Sequence, residues 1–118
     1  MRAPVVFVIS PEWTLRTMVR AELREAGVEA LGMEGIRDML EAVRRGIAPS
    51  MVVIDGIELE KPATRETMED MSRNIPTLVV DSRLTPASVP SSADVLRRPV
   101  RVQDIVSRVL TRLGRKIA

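Results

Sequence analysis

Five short apolar segments alternate along the chain with stretches of helical periodicity. Val5-Val6-Phe7-Val8-Ile9 is continuously apolar, mostly β-branched, and stopped by Ser10-Pro11-Glu12. A run of that length and composition predicts a strand buried on both faces, since it is too short for a helix. Ser10-Pro11-Glu12 then reads as a helix start. Ser10 would be the N-cap, Pro11 the first helical residue, where a missing N–H costs nothing, and Glu12 an acid in the first turn. The predicted helix runs from Pro11 to about Ala26, with Leu15, Val19, Leu23 and Ala26 on one face and Gly27 at its C-cap.

Val28 to Met33 alternates apolar and polar positions, as a strand near a sheet edge does. Helical spacing returns from Gly35 to Arg45, with Ile36, Met39, Leu40 and Val43 on one stripe and Gly46 closing it. Met51-Val52-Val53-Ile54 is a second fully apolar strand, ended by Asp55-Gly56. Residues 63–73 are weakly helical through Met68 and Met71, and Pro76 to Val80 is a third buried strand ended by Asp81-Ser82. Arg83 to Ala93 is loop-like, with Pro86 and Pro90. Val95-Leu96 is a short strand before Arg98-Pro99, and Val102, Ile105, Val106, Val109, Leu110 and Leu113 form an amphipathic stripe up to Gly114. Strand and helix thus alternate five times, with the helix between the fourth and fifth strands short or degraded. Two-sided apolar strands in that order predict an α/β domain, residues 1–118, with a parallel sheet covered by helices on both faces. Ligands gather at the carboxyl ends of strands in such sheets. Here those ends are Ser10 to Glu12, Asp55, Asp81 and Arg98.

Composition narrows the chemistry. The 118 residues hold no Cys, His or Tyr, so thiol nucleophiles, His-based triads, zinc fingers and disulfides are excluded. The pI near 9.9 suggests nucleic acid, yet the formal charge is only +2. With so few groups titrating in the middle range, a slight basic excess drives the pI toward that of lysine. Distribution says more than the total. Residues 97–118 carry seven basic groups against Asp104 alone, and the rest of the chain is net acidic. No apolar run approaches the ~18 residues needed to span a bilayer, and the N-terminal run is not a signal peptide, so the expected location is the cytoplasm.

The order of these segments resembles the receiver domain of response regulators over essentially the whole chain. Asp55 follows its Val-Val-Ile strand as the family's phosphoacceptor aspartate follows the third strand, and Ile75-Pro76 opens a fourth strand as in the family. Asp94-Val95-Leu96-Arg97-Arg98-Pro99-Val100 is similar to the family segment that ends in Lys-Pro, and Arg16 fits the first helix. The resemblance implies a five-stranded (βα)5, flavodoxin-like, doubly wound fold of the CheY type. It also implies a role in two-component signal transduction and phosphorelay. The pocket departs from the family pattern. Ser10 and Pro11 stand where the family has two adjacent acids that hold magnesium, leaving only Glu12 acidic. Asp81 replaces a Ser or Thr, Arg98 replaces the Lys, and Val95 takes the position of the switch aromatic.

Phosphoryl transfer to a carboxylate depends on positioning and charge neutralisation, and magnesium binds through one or two carboxylates plus phosphate oxygens and water. With the acidic pair lost, Asp55 would be the main ligand unless Glu12 reached back. Asp81 would set a like charge against an incoming phosphoryl oxygen. The expected reading is therefore a pseudo-receiver, not an enzyme and without a cofactor, that acts by phosphorylation-independent protein–protein interaction. Its alternative is a phosphorylatable receiver using Asp55 with an altered magnesium site. The bland readings make Ser10-Pro11-Glu12 a helix cap, pair Asp55 with Arg98, and make Asp81 a second partner of Arg98 or a turn residue. A cage of Glu12, Asp55 and Asp81 for magnesium or calcium is opposed by Arg98, which should sit among them. Partners would be signalling proteins, a histidine kinase among them, met through the last helix, whose Arg101, Arg108, Arg112 and Arg115 lie off its apolar stripe. Those residues are otherwise a solvated face favoured by the helix dipole. Nucleic acid is not an expected partner, because the aromatic platforms and recognition motifs are missing.

Overall fold

The β-branched runs form strands, and all five lie parallel in one sheet. In this computed structural model, which describes residues 3–81 and 88–115, they are β1 (Val5–Ile9), β2 (Glu29–Met33), β3 (Met51–Asp55), β4 (Thr77–Asp81) and β5 (Asp94–Arg97). The helices are α1 (Trp13–Glu25), α2 (Ile36–Arg44), α3 (Pro62–Met71) and α4 (Val102–Arg112), with a short 3-10 segment over Gly56–Glu60. Strand order is β2-β1-β3-β4-β5, the doubly wound order with a switch point between β1 and β3. Part of the expected short or degraded helix before β5 falls on residues 82–87, outside the described residues; 89–93 form bends and turns. Among the described residues, no helix is long and apolar enough to cross a membrane.

Strand alternation sorts the core into two layers. Val6, Val8, Met51, Val53, Leu78 and Val80 face α1 and α4, meeting Leu15, Val19, Leu23, Ile105 and Val109. Phe7, Ile9, Val52, Ile54 and Val79 face the other way, onto Met39, Leu59 and Met68. With Phe7 the single buried aromatic, the methionines fill the remaining space, as flexible thioethers do. Helix α1 ends as its sequence predicts. Gly27 has φ +82° and Val28 N–H returns to Leu23 carbonyl oxygen at 3.0 Å, which closes the helix and turns the chain into β2.

Two expectations are corrected. Helix α1 begins at Trp13 rather than Pro11, and its N-cap position is Glu12, without a side-chain cap bond. The Ser10 hydroxyl donates to Asp55 and accepts from Glu12 N–H, so it holds the turn that precedes the helix rather than standing at the N-cap position. On α2 the expected stripe is too wide. Met39 is fully buried, but Leu40 and Val43 are 43% and 42% exposed. They line an open groove between α2 and α3 together with Ile47, Met71 and Ile75. The weakly helical 63–73 stretch, by contrast, holds a regular helix over Pro62–Met71, with Pro62 in its first turn and Met68 completely buried.

Substitutions read this sorting directly. Met68→Ala is expected to lower unfolding free energy by about 3 kcal/mol and Leu40→Ala by less than about 1 kcal/mol, measured by urea denaturation; equal losses would put both on the core face. Gly32 on β2 has no room for a side chain, because a Cβ there would lie 2.9 Å from Arg16 Cγ. Gly32→Ala should therefore cost about 1 kcal/mol in the wild-type background and nearly nothing beside Arg16→Ala. A penalty that persists without the Arg16 side chain would refute that contact as its cause.

Candidate functional site

Register brings the site together. Ile9 pairs with Ile54, so the next residues, Ser10 and Asp55, emerge side by side at the carboxyl edge of the sheet. Asp81 pairs with Arg97 across β4 and β5, which delivers Arg98 to the same edge. The Arg98 backbone N–H donates to the Asp81 carbonyl oxygen at 2.7 Å, and the Arg98–Pro99 peptide bond is cis. Four of the five strands thus contribute to one small polar cluster.

Asp55 is its centre. Only 7% of the residue is exposed, and both carboxylate oxygens are engaged. Oδ2 accepts from the Ser10 hydroxyl at 2.7 Å and from Arg98 Nη2 at 3.4 Å, while Oδ1 accepts from Ile57 N–H at 3.2 Å. A buried carboxylate is stable only with such partners, because unpaired charge in a poorly hydrated site is costly. Ser10 also accepts from Glu12 N–H at 3.0 Å, so its hydroxyl bridges Asp55 and the turn into α1. The turn is fixed from behind by Arg16, whose Nη1 donates to the Ser10 carbonyl oxygen at 2.7 Å. Its stem lies over Gly32.

Arg98 spans the mouth of the cluster. Its Nη1 lies 3.4 Å from Glu12 Oε2 and its Nη2 3.4 Å from Asp55 Oδ2, and its side chain is 31% exposed. Of the arrangements left open for this arginine, the one with Asp55 is found, joined by Glu12. Asp81 does not converge with them. It is buried, and its Oδ2 takes Arg97 Nη1 at 3.0 Å, a cross-strand pair that follows from their register. Among the described residues, no three metal-ligating side chains cluster, and the cage of Glu12, Asp55 and Asp81 does not form. Pro11 is exposed and brings no polar side-chain atom. Val95 lies on β5, partly buried against the layer that holds Phe7 and Ile9.

The basic face of α4 is thinner than charge counting implies. Arg108 is held by Asp94 at 2.6 Å, and Arg101 stands at the N-cap position, where its N–H donates to Asp104 at 3.1 Å. Arg112 and Arg115 are exposed. Two features escape a reading of the sequence. One is the Arg97–Asp81 pair, whose signal would have been the strand register. The other is Glu58, a buried residue of the 3-10 segment paired with Lys61 at 2.9 Å, for which the only hint is the three-residue Glu-to-Lys spacing.

No family model matches the sequence, and no curated protein matches it. Solved structures do resemble it in fold. A response regulator from Thermotoga maritima superposes with a TM-score of 0.77 at 16% identity, over 96% of this chain and 99% of that one. A response regulator receiver protein from Sinorhizobium medicae WSM419 gives 0.77 at 16% identity, covering 96% of each chain. One from Burkholderia phymatum gives 0.73 at 17%, over 96% of this chain and 97% of that one. At these identities the likeness is one of fold, and the fold of this chain is that of the CheY-like response-regulator receiver domain.

Proposed function

We propose that the chain is an atypical receiver domain in two-component-type signal transduction, which binds a protein partner without passing through an aspartyl phosphate and is not an enzyme. The observation that carries this reading is the Arg98 guanidinium, paired at once with Glu12 and Asp55. Magnesium needs carboxylate oxygens free to face it. Here the buried acceptor already takes a hydroxyl and a guanidinium on Oδ2, and the nearest other acid, Glu12, is turned to the same arginine. Pro11 adds no ligand. The donor set does not suit a divalent cation, and no phosphoryl-transfer step is drawn through one.

A second reading keeps Asp55 as phosphoacceptor with an altered magnesium site. What favours it is position: Asp55 ends β3 at the switch point, in a sheet whose order is that of receiver domains. Incubation with acetyl phosphate and magnesium, followed by intact mass, separates the two. No phosphoryl adduct is expected; a stoichiometric adduct that Asp55→Asn abolishes would replace the first reading with the second.

The partner is a signalling protein, a histidine kinase being one class, approached in the cytoplasm through α4. Arg101, Arg112 and Arg115 suit an acidic surface there, with Arg108 already neutralised by Asp94. A partner held by the wild-type chain should still be held by Asp55→Asn and released by the triple change of Arg101, Arg112 and Arg115 to Glu. Retention by the triple variant would remove α4 from the interface. Steeply salt-dependent binding to mixed-sequence duplex DNA would point to nucleic acid instead.

A further inference from the structure

We propose that Arg98 is an internal counter-ion, serving in this pocket in place of a divalent cation and latching the β5–α4 corner to the turn between β1 and α1. The inference rests on the receiver reading above and deepens it by assigning how the pocket is held. A divalent ion in such a site would do two physical things: offset the charge of converging carboxylates and tie together the loops that carry them. Arg98 does both from within the chain. Its two terminal nitrogens each face a carboxylate, Glu12 from the β1–α1 turn and Asp55 from the end of β3, both at 3.4 Å. Its own backbone is fixed to the end of β4 through the 2.7 Å bond to Asp81.

The guanidinium is suited to this bridging role. It is planar, permanently charged and forked, so one side chain can hold two acids in fixed relative positions. The acids it joins differ in burial. The Asp55 side chain is 9% exposed and cannot turn to water, while that of Glu12 is half exposed, so Asp55 depends on Arg98 more than Glu12 does. Ser10 supports the same geometry by donating to the oxygen that Arg98 faces. The result is a pocket whose charge is compensated, and whose loops are joined, without an added ion.

The consequence is insensitivity to magnesium, lost when Arg98 is removed. Trp13 is the sole tryptophan, 67% exposed and adjacent to Glu12, which makes its fluorescence a local reporter. Thermal unfolding and Trp13 emission would be followed in 10 mM-scale MgCl2 against NaCl of equal ionic strength. The wild-type chain should respond alike to both salts. Arg98→Ala should melt roughly 5 °C lower and recover part of that loss with MgCl2 but not with NaCl, as the two carboxylates acquire an external cation. Arg98→Gln, which removes the charge but keeps part of the stem and a hydrogen-bonding amide, serves if the alanine variant does not fold and should behave in the same way.

A specific magnesium response in the wild-type chain would overturn the proposal, as would a folded variant that gains none. These outcomes are distinct from failure of the functional reading. A magnesium-responsive wild-type chain that takes no phosphoryl group sinks the counter-ion assignment alone, whereas an adduct at Asp55 sinks the functional reading.

Discussion

A carboxylate with less than a tenth of its surface exposed, at the end of a central strand, constrains everything around it. Asp55 cannot be left without partners, since burial of an isolated ion costs several kcal/mol. The fold meets that demand from three directions: a hydroxyl from the end of β1, a backbone N–H from the 3-10 segment just beyond β3, and a guanidinium from the end of β5. None of these is local to the strand except Ile57. The sheet register is what brings the others within reach. Ser10 at the same time accepts from Glu12 N–H, which ties the turn before α1 to the buried carboxylate.

The same logic recurs at the other buried acids. Asp81 takes Arg97, and Glu58 takes Lys61. Among the described residues, no buried side-chain polar atom lacks a hydrogen-bond partner. These pairings use up much of the basic excess of the C-terminal segment. Arg97, Arg98 and Arg108 each face a carboxylate, so much of that segment's charge is matched within the fold rather than set out on a surface built for polyanions. A basic stretch of sequence becomes, in the folded chain, a set of staples along β5 and a modest remainder on α4.

The fold was legible because its signals are redundant: β-branched runs of five residues, glycines at φ +82° and +92° closing α1 and α2, and apolar stripes at helical spacing. Where the stripe misled, on α2, the reason is width. Leu40 and Val43 fall on the same side as Met39 by periodicity, but the positions that pack on the core layer are Ile36, Met39 and Ala42, and Leu40 and Val43 border a groove. The pocket was legible in part. Strand ends predict that Ser10, Asp55 and Arg98 gather, because parallel sheets collect such residues at one edge. The pairing of Asp55 with Arg98 was legible as one of the readings and is found, whereas Asp81 was expected beside Arg98 or in a turn, and only the register with β4 decides that it meets Arg97. The Arg16 packing over Gly32 was hidden for the same reason, as it depends on how far β2 approaches α1.

A double-mutant cycle on Asp55 and Arg98 measures how far the guanidinium compensates the buried carboxylate. Arg98→Ala, Asp55→Asn and the double variant would be compared with the wild-type chain by urea denaturation. Arg98→Ala should be destabilising while residue 55 is Asp and close to neutral once it is Asn, a coupling of roughly 1–2 kcal/mol. Strictly additive losses would contradict it, because they would mean that the guanidinium does not compensate the buried carboxylate.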